Sequence, residues 1–186
     1  MKIRFFSTIV ISIFFLTGCA VFNAKPSLQY STIVLKSNLV SGSAYVNDFK
    51  DSRPDKGTGI IGEISNGYGI KCGEVKEPSD ITAWVTNALK SELKNAGYET
   101  AESSKNMIIN GEILSLCASS CYTYQATIYL KISVEKNSAV VLDKTYKGDS
   151  NKLDILQFSY KKGIEEALTA SLQQAIGQLI EDINKI

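Results

Sequence analysis

Tyr122-Thr-Tyr-Gln-Ala-Thr-Ile-Tyr-Leu-Lys-Ile-Ser-Val-Glu135 is the stretch from which the fold class is read. Tyr122, Tyr124, Ala126, Ile128, Leu130, Ile132 and Val134 fall on one side of an extended chain. Thr123, Gln125, Thr127, Lys131, Ser133 and Glu135 fall on the other, together with Tyr129. A period of two predicts a strand with one face on a core and one on water. Downstream, Lys136-Asn137-Ser138 turns the chain into a second extended run, Ala139 to Tyr146. Upstream, Met107 to Cys117 supplies a third, with Asn110 and Glu112 among its polar positions. Short turns between successive strands predict an antiparallel three-strand meander.

Helical periodicity flanks these strands. Ile81, Trp84, Val85, Ala88, Leu89 and Leu93 form one stripe after Pro78-Ser79-Asp80, which offers an N-cap and an acidic first turn. Gly97 follows where a left-handed residue ends a helix. Leu156 to Ile183 carries a second stripe through Tyr160, Ile164, Ala167, Leu168, Leu172, Ala175, Ile176, Leu179, Ile180 and Ile183. At 1.5 Å per residue that helix spans about 40 Å. Ser43 to Phe49 reads as the first firm strand, and Ser31 to Leu35 as a short additional one. Between Pro54 and Gly73 six glycines occur in twenty residues, with Gly59–Gly62 and Tyr68–Cys72 as pieces able to pair in a hairpin. The expected class is α+β: a mostly antiparallel sheet ordered strand, helix, three-strand meander, helix, with both helices packed on one face.

The N-terminus has the three parts of a secretory signal. Lys2 and Arg4 precede an apolar run from Phe5 to Leu16, too short to span a membrane, which takes about 20 residues. Leu16-Thr17-Gly18-Cys19 then resembles the lipobox of bacterial lipoproteins. Small residues let an extended backbone enter a peptidase groove, and the thiol is the atom that takes a diacylglycerol. The resemblance implies cleavage between Gly18 and Cys19 and acylation of Cys19. Several acyl chains, at about 0.8 kcal/mol per buried methylene, give a stable anchor. Ala20 stands where an Asp would resemble an inner-membrane retention signal, so the expected site is the outer membrane, with the domain facing the periplasm. The predicted organisation is a signal over 1–18, a lipidated tether over 19–40 that lets the domain stand off the headgroups, and one domain over 41–186.

Composition excludes several classes of function. The 186-residue chain has 20 basic and 19 acidic residues; loss of Lys2 and Arg4 with the signal leaves 18 against 19. No run of like charge exceeds two residues, which leaves no electrostatic footprint for nucleic acid. There is no histidine, which removes Ser-His-Asp and Cys-His nucleophile pairs and His-ligated metals. No metal or cofactor is expected. Gly57-Thr-Gly59-Ile-Ile-Gly62 matches a dinucleotide fingerprint by letter alone, since that motif must leave a strand and open a helix.

The residues singled out for a role are few. Asp48, Asp51 and Arg53 lie at a strand end, where the Arg fork either meets a partner's carboxylate or pairs with Asp48 or Asp51 and pins the loop. Cys117 and Cys121 flank three residues expected to form a turn, and a bridge between them would close a hairpin; a bridge from Cys72 to either is the alternative. Tyr122, Tyr124, Phe158 and Tyr160 either line a groove or pack as core.

These features together are similar to the YajG family of bacterial lipoproteins. The resemblance rests on the lipobox, Asp48…Asp51-x-Arg53, the glycine loop and the Trp84 helix. It also includes the Asn110-Gly111 strand, the hairpin through Tyr124–Val134, and Lys147-Gly148 before a terminal helix, and it covers roughly residues 30–185. The family pattern does not include the three other cysteines. The resemblance implies an envelope lipoprotein without known catalysis. The expected role is a non-enzymatic accessory protein that binds another envelope component through its sheet edge or glycine-rich loop. The alternative is a small-molecule or lipid carrier with a pocket between sheet and helices.

Overall fold

The computed structural model describes residues 22–32, 42–100, 106–153 and 159–186. The signal segment, Cys19, most of the run Ser31 to Leu35, and Phe158 lie outside them. Nine strands and two helices are described: β1 (Phe22–Ala24), β2 (Gly42–Val46), β3 (Lys50–Asp51), β4 (Ile60–Ser65), β5 (Lys71–Lys76), α1 (Ile81–Asn95), β6 (Tyr98–Thr100), β7 (Met107–Ser120), β8 (Thr123–Lys136), β9 (Ala139–Leu153) and α2 (Tyr160–Ile183).

Strand β7 is the spine of the sheet. Along one side it pairs antiparallel with β8 over its whole length, and β8 pairs antiparallel with β9. Along its other side three short strands follow one another: β2 at Ile108 and Ile109, β3 at Glu112 and Ile113, and β4 at Ser120. All three run parallel to β7, as do β6 to β2 and β1 to β5, while β4 and β5 form an antiparallel hairpin. The expectation of a mostly antiparallel sheet is therefore corrected: the sheet is mixed, with nine strands. Parallel neighbours need a long crossover. Helix α1 supplies one, returning the chain so that β6 and β7 run in the direction of β2, β3 and β4.

The alternation in β8 holds from Tyr124 onward, with Tyr124, Ala126, Ile128, Leu130, Ile132 and Val134 all buried, whereas Tyr122, expected on the same face, precedes the strand and is exposed. In β7 it changes phase. Ile113 lies opposite Leu130 and Ser115 opposite Tyr129, so Leu114 is the extra residue of a bulge. Inward positions shift from Met107, Ile109 and Ile113 to Leu116, Ala118 and Ser120. Helix α2 covers this face with Ile164, Leu168, Leu172, Ile176 and Leu179. Two glycines set how close it lies. A Cβ on Gly148 would sit 1.8 Å from the Ser171 carbonyl oxygen, and one on Gly163 would sit 2.2 Å from the Tyr124 ring. Tyr124 is thus core, edge-on to Tyr160 at 6.5 Å, whereas Tyr122 is exposed.

The helix ends differ from expectation in one respect. Ser159 caps α2 by accepting from the Lys162 amide at 3.3 Å. Asp80, at the cap position of α1, has φ 58° and makes no side-chain cap bond, and the first turn holds no acidic residue. A cap side chain reaches the N2 or N3 amide from extended backbone, which Asp80 does not adopt.

The N-terminal segment also departs from a free tether. Residues 22–24 are a strand of the sheet, and Leu28 and Tyr30 pack on the core. The Tyr30 hydroxyl donates to buried Glu92 of α1 at 2.7 Å, and the Ser27 amide donates to Glu165 of α2 at 2.6 Å. Of the leash predicted over 19–40, residues 22–32 are thus packed on the domain.

Candidate functional site

Arg53 follows β3 at the strand end that the sequence marked, and it is 2% exposed. Asp51 accepts from its Nε at 2.9 Å and its Nη2 at 2.8 Å, and from its backbone amide at 3.2 Å. Nη2 also donates to Glu77, just beyond β5. The hydrogen bonds from the Arg53 guanidinium hold the Asp51 carboxyl below the usual carboxylate range, against the opposing effect of burial. The two carboxylates conversely push the guanidinium further up. Asp48 is exposed and takes no part. The fork is consumed internally, tying β3 to the end of the β4–β5 hairpin, so Asp48, Asp51 and Arg53 do not form one partner-facing set. Glu77 was not legible as a member, because only the hairpin brings it 24 residues back to Arg53.

The expected Cys117–Cys121 bridge is not formed: Cys72 and Cys117 are free thiols, and the Cys121 thiol donates to the Asn66 carbonyl at 3.3 Å. Strand β7 runs on through Ser120, so the turn falls at Cys121-Tyr122 and the residue opposite Cys117 is Thr127. Ser120, the residue before Cys121, already lies about 10 Å along the strand from Cys117, which holds the two cysteines apart. The Gly57–Gly62 run leads into strand β4, with no helix opening from it. Among the described residues, no three His, Cys, Asp or Glu side chains group to hold a metal ion, and no helix is long and apolar enough to cross a membrane.

Among the described residues, those between sheet and helices pack as one hydrophobic core. Two clefts, of about 560 and 570 Å³, lie instead on the surface between residues 25–31 and the starts of α1 and α2. The first includes Trp84, whose buried indole N–H has no hydrogen-bond partner among the described residues.

Strand β9 is an open edge of the sheet, as are the shorter β1 and β6, each with one neighbour among the described residues. For β9 that neighbour is β8. From Lys144 onward β9 is guarded. Lys144 pairs with Asp182, Lys147 with Asp149 and Lys152 with Glu166. Gln174 and Gln178 of α2 engage the Asp149 amide and the Lys147 carbonyl at 2.6 and 3.0 Å. Its first residues, Ala139-Val140-Val141-Leu142, carry no charge, and Val140 is 61% exposed. Lysines on an edge deter strand pairing, and their absence leaves a template for it. Sequence reading placed a strand here and named the sheet edge as a binding route, without identifying which strand would be the edge.

Comparison with known proteins gives a consistent class. No curated protein matches the chain. The solved structure of protein XCC0632 from Xanthomonas campestris is similar with a TM-score of 0.55 at 13% identity, covering 88% of this chain and 98% of that one. The hypothetical protein CT253 from Chlamydia trachomatis gives 0.52 at 6% identity, covering 77% and 96%. At such identities the likeness is one of fold. The family model described as uncharacterised lipoprotein, Lipoprotein_16, matches residues 40–184. The chain belongs to this family of uncharacterised lipoproteins, the YajG type whose pattern its sequence carries.

Proposed function

We propose that the mature chain begins at Cys19, is acylated there, is held at the periplasmic face of the outer membrane, and acts without catalysis as a binding protein for another envelope protein. The lipobox, the residue after it and membership of a lipoprotein family support the anchor. The observation that carries the binding role is the uncharged, exposed start of β9 on a sheet edge with one neighbour. A partner strand added there gains main-chain hydrogen bonds, and alternate side chains give it register. The glycine-rich loop is the weaker route, since its base is engaged by Arg53 with Asp51 and Glu77.

The test is photo-crosslinking in cells from benzoylphenylalanine placed at Val140 or Val141, against Asp55 and Thr58 in the loop. A discrete protein adduct from 140 and 141 is expected. Capture from the loop alone, or from neither, would reject the edge. Intact mass of the purified chain should show acyl additions that Cys19→Ser abolishes.

A further inference from the structure

We propose that the end of the domain from which the anchor leaves is itself a membrane-docking surface, so that the sheet stands upright on the bilayer. Five large apolar side chains are exposed at that end: Phe22, Tyr68, Ile70, Tyr122 and Leu153, with Tyr68 at 92%. Strand register brings them together. Tyr68 and Ile70 form the tip of the β4–β5 hairpin, and the Tyr122 hydroxyl in the β7–β8 turn donates to Gly67 of that tip. Leu153 is the last residue of β9, opposite Thr123, and Phe22 opens β1 beside β5 with its ring 5.7 Å from that of Tyr160.

What covers this end follows from where the chain leaves. The inference rests on the proposed lipid at Cys19, three residues before Phe22. Three residues span at most about 10 Å. That is also roughly the rise along β5 from Gly73, opposite Phe22, to Ile70. Acyl chains entering a bilayer within that reach bring Tyr68, Ile70, Tyr122 and Leu153 to the headgroups. Tyrosine, apolar with a polar tip, suits that level. The neighbouring lysines are paired: Lys71 with Glu63 and Glu74, Lys152 and Lys162 with Glu166, and Lys161 with Glu165. Docking is therefore through apolar and aromatic contact, without a call on anionic lipid. Val140 lies at the far end of β9, thirteen residues from Leu153, so the open edge is held about 40 Å from the membrane.

The same photoreactive residue at Tyr68 or Ile70 of the full lipidated chain tests this in cells, with Val140 as the reference. All three side chains are exposed, so replacement leaves the core untouched. Lipid adducts at 68 and 70, and their loss at 140, are expected. Protein adducts at 68 and 70, or lipid adducts no more frequent than at 140, overturn the docking. Intact mass of the same preparation separates this from failure of the anchor: an unmodified Cys19 overturns the anchor reading, whereas an acylated Cys19 with an unlabelled tip overturns docking alone. In vesicles of the purified lipoprotein, replacing zwitterionic with anionic lipid should leave adduct yield at 68 within two-fold; a ten-fold rise would refute the apolar mode.

Discussion

Replacing Asp51 with Asn tests whether the Asp/Arg cluster holds the fold. The change keeps the shape of the side chain and removes its charge. One amide oxygen can still accept from Arg53 Nε, but the amide nitrogen is a donor facing Nη2, itself a donor. A charge-assisted bond of 2.8 Å is thereby lost beside a guanidinium that is 2% exposed. Hydrogen bonds to charged groups contribute about 1.5–3 kcal/mol net. Breaking a buried ion pair costs about 3–5 kcal/mol. Glu77 still neutralises Arg53, and the Asp51 side chain is 23% open to water, so the lower range applies. The expected destabilisation is about 2–3 kcal/mol. Urea unfolding followed by Trp84 emission measures it, since the chain's one tryptophan is 6% exposed. Asp48→Asn, on an exposed side chain outside the cluster, should fall within about 0.5 kcal/mol of wild type.

The pH dependence has a definite sign. A carboxyl held below its unfolded value of about 3.9 stabilises the fold above that pH, and the contribution is lost as pH falls through the lower folded value. The gap between wild type and Asp51→Asn should therefore be full at pH 7 and begin to close below about pH 4. A loss under 0.5 kcal/mol at pH 7, or a gap that widens on acidification, would refute the reasoning. Such a result, accompanied by lost partner capture, would return Asp51 to a binding role.

Gly148→Val places a branched side chain where even a Cβ meets the Ser171 carbonyl at 1.8 Å; a cost of at least about 1–3 kcal/mol is expected, read as a lowered Tm. Tyr30→Phe removes the hydroxyl that reaches buried Glu92 and should cost about 1–3 kcal/mol and speed proteolysis after residue 25, whereas an unchanged chain would mean that the segment is a free tether after all. Thiol labelling of the native protein without reductant should modify exposed Cys117 first; a Cys117 that reacts only after reduction would reveal a bridge.

The periodicities belong to the sequence itself. Burial of one face of Tyr124–Val134, the stripe from Ile81 to Leu93 and the long terminal stripe follow from side-chain spacing, since a strand alternates every residue and a helix every 3.6. The lipobox-like run is equally local, and of the two internal partners left open for Arg53, Asp48 and Asp51, the fold takes Asp51, two residues away. Strand direction is not local: alternation reports which residues are inside and is blind to whether the neighbour runs parallel. The crossover through α1 made the sheet mixed, and the bulge at Leu114 shifted the inward phase of β7 without a glycine or proline to mark it. The continuation of β7 through Ser120 moved the turn past the cysteines, and the hairpin brought Glu77 to Arg53. The sequence by itself thus determined which faces are buried and that a cysteine in a lipobox-like run precedes the domain. Tertiary structure alone decided which strands are left as open edges, and which end carries Phe22, Tyr68, Ile70, Tyr122 and Leu153 together, because both depend on register between segments far apart in the chain.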